Sequence, residues 1–218
     1  DYDALIRLLQ PEQPGDAAQV AVMAWRQHGM PRHLIEALTL FASRNQWDDF
    51  ARTLAQLDEA PSAARSSLAE LRRSPHFLTL VGDYHKNAGR LALARQYFEE
   101  ALKVDPQSLD TREAFLWLLI DSNDAAAIRQ LLAEHEPQWS TSQELHDVLA
   151  AAYKALSLPQ IALDRYLTPD LPRHENDFLW LMNYADALDE NQEIDRAWRL
   201  RRHLLSQQWQ EARQAPDG

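Results

Sequence analysis

Several residue types and patterns are absent or rare in this 218-residue chain, and each absence excludes a class of structure or chemistry. There is no cysteine, which excludes a disulfide framework and thiolate chemistry. The 5 glycines are too widely spaced for a glycine-rich phosphate loop. No apolar run reaches about 18 residues, so no membrane span is expected, and no alternating Val/Ile/Thr run indicates a strand. The remaining composition, rich in Ala, Leu, Gln, Glu and Arg, predicts an all-α protein.

The net charge of −11 argues against nucleic acid as a partner, because a protein that binds phosphates needs an excess of Lys and Arg. The negative charge lies mainly in residues 75–195, where 9 basic and 21 acidic residues give −12. Residues 196–218 have the opposite sign, with 5 basic and 2 acidic residues giving +3. A basic protein surface or a cationic polymer fits this field better than a nucleic acid does.

Residues 75–106, PHFLTLVGDYHKNAGRLALARQYFEEALKVDP, carry the clearest pattern in the chain. Apolar side chains recur at helical spacing on both sides of the NAG tripeptide, which predicts two amphipathic helices. Gly89 is expected to end the first helix in the left-handed conformation. Small residues at Gly82 and Ala94 allow the two backbones to approach closely, and Phe98 fills the space beside them. These residues predict a tight helical hairpin.

This order of residues resembles the tetratricopeptide repeat, whose pattern is W-x2-L-G-x2-Y, then A-x3-F, then P. Leu78 and His85 stand where that pattern has tryptophan and tyrosine. The pattern recurs along the chain, which predicts four units at 75–107, 108–142, 143–177 and 178–211 and a tail at 212–218. The residues assigned to the alanine position are Ala94, Ala127, Ala162 and Ala197, at steps of 33, 35 and 35, and those assigned to the glycine position are Gly82, Phe115, Ala150 and Ala185.

Residues 1–74 are predicted to form degenerate repeats of the same kind. Helices are expected at 2–10 and from about Asp16, as N-cap, to a C-cap at Gly29; another begins at Pro31. The dipeptide Asn45-Gln46 is predicted to form a turn, and an extra helix is expected near 62–73. The resemblance implies a right-handed superhelical solenoid of antiparallel helix pairs, with a concave surface lined by the first helix of each pair.

The sequence contains no recognisable catalytic or metal-binding motif. Patterns of the HExxH, GxSxG and SxxK type do not occur, and the 8 histidines are scattered. A glycosidase-like acid pair would need two carboxylates facing across a cleft, whereas helical acids such as Asp186 and Asp189 more often form a solvated face. The chain is therefore expected to be neither an enzyme nor a metal or cofactor protein. The rival hypothesis is direct carbohydrate handling by exposed tryptophans and paired carboxylates.

The repeat resemblance also implies which residues face a ligand, namely those at positions 2, 5, 9, 12 and 13 of each first helix. In the second unit these positions appear apolar and are expected to pack (Leu109, Arg112, Leu116, Leu119, Ile120). In the last unit they give an acidic groove suited to an Arg- or Lys-bearing partner. The candidate residues are His76, Thr79, Asp83, Lys86, Asn87, Glu144, Asp147, Lys154, Met182, Asp186, Asp189 and Glu190.

Five tryptophans in the second half of the chain divide into two groups. Trp117, Trp180 and Trp198 occupy positions that are expected to be buried by helix packing. Trp139 and Trp209 lie near predicted helix boundaries, which makes them candidates for exposed anchors of a partner.

The segment DFLWLMNYADALDENQEIDRAWRLRRHLL, with the preceding LAAAYKALSLPQIALDRYL, resembles the periplasmic repeat region of PelB-type bacterial exopolysaccharide export proteins. That resemblance implies a fragment of an outer-membrane protein that holds a periplasmic polysaccharide deacetylase or hydrolase beside the export pore. Two alternatives stay open. One is direct guidance of a cationic, partly deacetylated polysaccharide, and the other is a cytoplasmic assembly scaffold.

Overall fold

The computed structural model describes residues 1–57, 69–139, 142, 145–167 and 178–214, without the side chains of 136–138, 179 and 207–214. Its described residues form α-helices joined by short turns and contain no strand, so the predicted all-α fold is confirmed. The helices are α1 (Tyr2–Leu9), α2 (Pro14–His28), α3 (Pro31–Ser43), α4 (Trp47–Ala55), α5 (Pro75–Asn87), α6 (Leu91–Val104), α7 (Leu109–Asp121), α8 (Ala125–Trp139), α9 (His146–Ala155), α10 (Pro159–Tyr166), α11 (Phe178–Glu190) and α12 (Ile194–Gln214).

Proline marks the start of several helices because its missing N–H is one that the first turn would leave unbonded in any case. Pro31 begins α3 as predicted, and Pro75 and Pro159 begin α5 and α10. The prediction that Asp16 caps α2 is wrong. That helix already begins at Pro14, so Asp16 lies within its first turn.

The two helices of each pair are joined by a turn of one recurring geometry. A residue with positive φ stands two positions before the second helix, and the next residue donates its N–H to the carbonyl five positions back, at 2.9–3.0 Å. This bonding satisfies carbonyls at the end of the first helix. In these five turns the positive-φ residues are Asn45, Gly89, Asn123, Ser157 and Gln192, at steps of 44, 34, 34 and 35; Gly29, which precedes α3, also has positive φ.

These turns show that the predicted register of the second unit is wrong by one residue. Measured from Asn123, the residue equivalent to Ala94 is Ile128, which is fully buried, whereas Ala127 is only half-buried. The residue equivalent to Gly82 is likewise Leu116 and not Phe115. The three consecutive alanines at 125–127 led to the wrong alignment. The left-handed turn, and not the alanine, determines which residues face the partner helix.

The chain divides into two compact units, residues 1–118 and 119–218, so their boundary falls within α7. In unit 1, Gly82 of α5 packs directly against the ring of Phe98 on α6. The ring of Phe50 stacks on Tyr84 with centroids 5.3 Å apart. The hydroxyls of Thr79 and Thr111, 2.7 Å apart, join α5 to α7. The threonine contact holds the first helices α5 and α7 side by side, and the other two pack α5 against α6 and α4.

Unit 2 is built around an aromatic cluster. Tyr166 contacts Trp180 with ring centroids 5.5 Å apart and Tyr184 at 5.7 Å. The side-chain amide of Asn191 donates to the Pro159 carbonyl at 2.8 Å, which ties the end of α11 to the start of α10. Tyr166 occupies the phenylalanine position of its repeat, so a polar aromatic residue does the packing that Phe98 does in unit 1.

Two predicted segments fall partly outside the described residues. Of the extra helix expected near 62–73, residues 62–68 lie outside, while 69–71 are helical and Leu71 is buried. Of the predicted tail at 212–218, residues 215–218 lie outside, and α12 continues to Gln214.

Candidate interaction surface

The first helices of unit 1 present a polar face that differs from the predicted one, because the corrected register brings other residues of α7 to it. Counted from Asn123, the ligand-facing positions on α7 begin with Asp110, Glu113 and Trp117. We call the set His76, Asp83, Lys86, Asn87, Asp110, Glu113 and Trp117 the first-helix face of unit 1. Acids and an aromatic ring thus stand where packing residues were predicted.

Two carboxylates and a tryptophan give this face its chemistry. Trp117 is half-buried, and its indole Nε1 donates to Glu113 at 3.4 Å. Burial raises the pKa of Asp83 to about 6; the nearby charge of Glu113 adds to the rise and that of Lys86 opposes it. Asp83 is therefore partly protonated near pH 6, and at higher pH its charge is held in a poorly solvated position.

The other predicted residues of α5 have mixed positions. His76 is exposed, with its Nε2 atom 3.0 Å from the Thr39 hydroxyl. The exposed Asn87 donates its side-chain amide to the Asp83 carbonyl at 3.3 Å. The prediction for Thr79 is wrong, since this side chain is 5% exposed and its hydroxyl contacts Thr111. Thr79 joins two helices and cannot contact a partner.

Of the residues predicted to pack in the second unit, three are buried, and Leu109 and Ile120 are half-buried. Leu116 and Leu119 are buried. Arg112 is also buried, where its Nε donates to the Pro106 carbonyl at 2.9 Å and a terminal nitrogen donates to Gln107 Oε1 at 2.7 Å. This arginine secures the loop that leads into α7.

The predicted acidic groove of the last unit is largely neutralised by side chains of unit 2 itself. Arg201 of α12 pairs with both Asp186, at 2.6 Å, and Asp189 of α11. Glu190 pairs with Lys154 of α9 at 3.0 Å. Arg201 occupies the aromatic position of its repeat, so its guanidinium reaches back onto the first helix. These three acids are thus paired within unit 2, and their binding to a basic partner stays a prediction.

The other residues of unit 2 that were predicted to contact a partner differ in exposure. Asp147 and Met182 are half-buried, and the exposed Lys154 is held by its bond to Glu190. Glu144 lies outside the described residues.

The exposure of several tryptophans differs from the prediction. Trp180 is buried as predicted, but Trp139 is only 1% exposed and stacks on His135 with ring centroids 5.0 Å apart. Trp139 is therefore not an exposed anchor, which removes one of the two tryptophans on which the carbohydrate hypothesis relied. The side chain of Trp209 lies outside the described residues. Trp117, expected to be buried, is only half-buried.

Trp198 was expected in the core and is instead 62% exposed. The signal that could have placed it was available in the sequence. Ala197 and Leu204 are seven residues apart and both buried, so they define the inward face of α12. Trp198 is one residue further along, which rotates it by about 100° away from that face.

Among the described residues, no group of three or more His, Asp or Glu side chains is arranged to hold a metal ion. None of the helices in the described part of the chain is both long and apolar enough to cross a bilayer.

Comparison with known proteins gives a family and no close relative. No curated protein matches the chain. Solved structures similar to it include MamA AMB-1, at 10% identity over 86% of this chain and 98% of that chain, with a TM-score of 0.49. Another is Naa15/Naa10 bound to HypK-THB, at 17% identity over 91% of this chain and 30% of that chain, with a TM-score of 0.44. The family model for the tetratricopeptide repeat matches residues 1–210. Because that match spans nearly the whole chain, the protein belongs to the tetratricopeptide repeat family, whose members are helical interaction scaffolds and generally non-catalytic.

Proposed function

We propose that this protein is a scaffold that docks a partner protein on the first-helix face of unit 1. The observation that carries the proposal is the position of Trp117 on one face with the carboxylates of Glu113 and Asp83. An aromatic ring in a half-buried position supplies contact area at low entropic cost, and aromatic residues dominate binding energy at protein interfaces.

The chemistry of this face fits an arginine- or lysine-bearing segment of the partner. A guanidinium can stack on an indole and donate paired hydrogen bonds to a carboxylate. Because Asp83 is poorly solvated, a partner cation would gain more from it than from a fully hydrated acid. Lys86 on the same face disfavours a uniformly cationic ligand and favours a segment of mixed charge.

Unit 2 is a second candidate for the same role, and its acids are already paired. A partner cation would have to displace Arg201 from Asp186 and Asp189, or Lys154 from Glu190. Each exchange gives up an existing ion pair for a new one, so the net gain in binding free energy is small.

We further propose that the partner is a polysaccharide deacetylase or hydrolase of a Pel-type exopolysaccharide export system in the periplasm. The support is the resemblance carried by the NYADAL and AWRLRR phrases, together with the repeat array. The same carboxylates suit a cationic, partly deacetylated polysaccharide, which is the second candidate ligand. A cytoplasmic scaffold would use the same face with a different partner.

The decisive test measures binding of a Pel-type deacetylase/hydrolase, and separately of chitosan oligomers, to the 218-residue chain. Trp117→Ala and Glu113→Lys are each expected to weaken capture of the enzyme about tenfold or more, and Glu113→Lys more strongly at low salt than at high salt. Trp198→Ala and Glu12→Lys are matched controls, because the first removes an exposed tryptophan and the second an exposed acid outside this face.

The outcomes separate the hypotheses. Enzyme capture that is unchanged by both face variants would remove the docking surface. Binding of chitosan oligomers without the enzyme, lost in Glu113→Lys, would favour the polysaccharide. Failure to bind either ligand, with a folded chain by circular dichroism, would exclude the export role and leave only the scaffold fold.

A further inference from the structure

The turn between α5 and α6 contains a titratable residue that the other turns of this geometry lack. At each of the five turns, the residue four positions before the positive-φ residue accepts the hydrogen bond that closes the turn. In α5 this residue is His85, which stands where the repeat pattern has tyrosine. The equivalent residues at the other four turns are Phe41, Leu119, Tyr153 and Leu188. Of these five residues, only a histidine can gain a proton near neutral pH.

The side chain of Arg90 determines the charge state of His85. Arg90 closes the turn by donating its backbone N–H to the His85 carbonyl at 2.9 Å, and its side-chain Nε donates to His85 Nδ1 at 2.8 Å. A guanidinium nitrogen can only donate, so Nδ1 must present a lone pair. The imidazole that accepts this bond is therefore neutral, with its proton on Nε2.

Aromatic rings surround this hydrogen bond and connect it to three helices. The His85 ring stacks on Tyr97 of α6, with centroids 5.2 Å apart, and contacts the ring of Tyr84 at 5.3 Å. The Arg90 guanidinium lies 4.8 Å from the centroid of the Tyr84 ring, which stacks in turn on Phe50 of α4. The titratable and charged groups that face the imidazole from α5, α6 and the turn are thus Tyr84, Tyr97 and Arg90.

These surroundings disfavour a protonated His85. Burial lowers the pKa of the imidazole, and the nearby positive charge of Arg90 lowers it further. A proton on Nδ1 would also displace the Arg90 Nε–H, because two donors cannot share one hydrogen bond. Protonation therefore removes the side-chain bond across the turn and leaves two cations side by side. Asp83 lies on the same helix two residues earlier, about 200° away around the axis, so it does not take part.

We propose that His85 makes the α5–α6 turn sensitive to pH, because its neutral ring holds Arg90 across the turn and its protonated ring releases it. The folded chain binds this proton less readily than the unfolded chain does. The contribution of the group to stability is therefore complete above the ordinary pKa of 6.5 and is lost as the pH falls. Lys86 and Asn87 of the first-helix face lie in the last turn of α5, so acid would loosen that end of the face. The proposal concerns the turn itself and does not depend on docking at that face.

The first test follows His85 by NMR of the 218-residue chain. Two-bond proton–nitrogen spectra of the imidazole are expected to show the proton on Nε2 at about pH 7.5, and a titration is expected to give a pKa below 6.5. In Arg90→Ala the pKa should move up towards 6.5, because the neighbouring cation is gone. Arg73→Ala removes an exposed arginine outside the turn and should leave the His85 titration unchanged.

The second test measures hydrogen exchange at the Arg90 backbone amide, whose bond closes the turn. Its protection factor, which is corrected for the intrinsic effect of pH on exchange, is expected to fall between about pH 7.5 and about pH 5. The Leu158 amide closes the α9–α10 turn onto the Tyr153 carbonyl at 2.9 Å, without a histidine. Its protection factor should not fall with that of Arg90.

Variants attribute the effect to one ring. His85→Gln offers Arg90 an oxygen that can accept but does not titrate, so the pH dependence at the Arg90 amide should disappear. His203→Gln makes the same change at an exposed histidine of α12 and should leave that dependence intact. Repeating both in Asp83→Asn removes a second group of α5, whose pKa is about 6.

Three results would overturn the proposal. One is a His85 pKa at or above 6.5. Another is a pKa that Arg90→Ala leaves unchanged. The third is protection of the Arg90 amide that does not depend on pH, or that falls equally in His85→Gln. The titration and the comparison with Leu158 use the unaltered chain, so they decide the matter even where a variant fails to fold.

Discussion

Gly82 allows α5 and α6 to pack closely because it has no Cβ atom. A Cβ at this position would lie 2.5 Å from Phe98 Cε1 and 2.7 Å from its Cδ1, closer than non-bonded carbons can approach. Phe98 is fully buried and cannot swing away. The glycine is therefore required by close approach of the two helices, and not by the backbone conformation of α5.

We expect Gly82→Ala to lower the free energy of unfolding by about 1–3 kcal/mol, because the overpacking cost exceeds the helix-propensity gain of about 1 kcal/mol. Urea denaturation measures the change. Gly82→Ala/Phe98→Leu should recover part of the loss. The matched control is Gly15→Ala in α2, where a Cβ would lie an ordinary 3.6 Å from the Gln46 side chain. Equal effects at both glycines would contradict this account.

At the scale of the element, the repeated turn determines which face of each helix is buried. One bonding pattern recurs at the five turns although only Gly89 is glycine. Asparagine, found at positions 45 and 123, is more tolerant of positive φ than most residues, whereas Ser157 and Gln192 hold it at φ 59° and 63°. The hydrogen bonds and helix packing thus outweigh the local conformational cost.

We expect Ser157→Gly to raise the free energy of unfolding by about 0.5–1 kcal/mol, because glycine adopts positive φ without the side-chain penalty. The converse change, Gly89→Ala, should lower it by about 1 kcal/mol. No atom lies within 4 Å of a Cβ built on Gly89, so that loss would report backbone strain alone. Thermal unfolding of both variants tests the pair, and a destabilised Ser157→Gly would mean that the serine side chain contributes a stabilising bond.

At the scale of the whole molecule, ion pairs within each unit neutralise part of the excess negative charge. Arg201 and Lys154 neutralise acids of unit 2, and Arg32 pairs with Asp3 at 2.8 Å in unit 1. Asp83 is different, because burial and Glu113 both raise its pKa and only Lys86 opposes them. Its ionisation works against the folded state, so it contributes to the pH dependence of stability.

We expect Asp83→Asn to raise the free energy of unfolding at pH 8 by about 1–2 kcal/mol and to have little effect at pH 4. The folded pKa of about 6 lies above the ordinary value of 3.8, so the folded state binds the extra proton between these values. Stability from this group therefore falls as pH rises from about 4 to about 6, and the variant should lose that fall. Urea titrations across this range measure the difference. If the free energy of unfolding depended on pH in the same way in both proteins, Asp83 would not be the group that causes this dependence.

Much of the fold was predictable from local signals. Gly89, Pro31 and Pro159 mark turns and helix starts because backbone conformation and the missing proline N–H act at the residue itself. The repeat register was predicted except in one unit, where Ala127 was aligned in place of Ile128 and only the turn at Asn123 shows the difference. The candidate surface was predicted less well. Trp139 and Trp198 exchanged their expected positions, because exposure depends on which neighbouring helix covers a side chain.

The sequence by itself determined that this chain is an array of helix pairs of the tetratricopeptide repeat family. Propensity, capping and periodicity are local properties, so they can be read from the order of residues. Only the tertiary structure decided which polar groups are available to a partner. Arg201 reaches Asp186 across fifteen residues, and Thr79 reaches Thr111 across thirty-two. Pairings of this kind depend on how the helices pack. The same packing places Trp117 and Glu113 in half-buried positions on the first-helix face of unit 1, whereas Leu116 and Arg112, which the predicted register had put there, are buried.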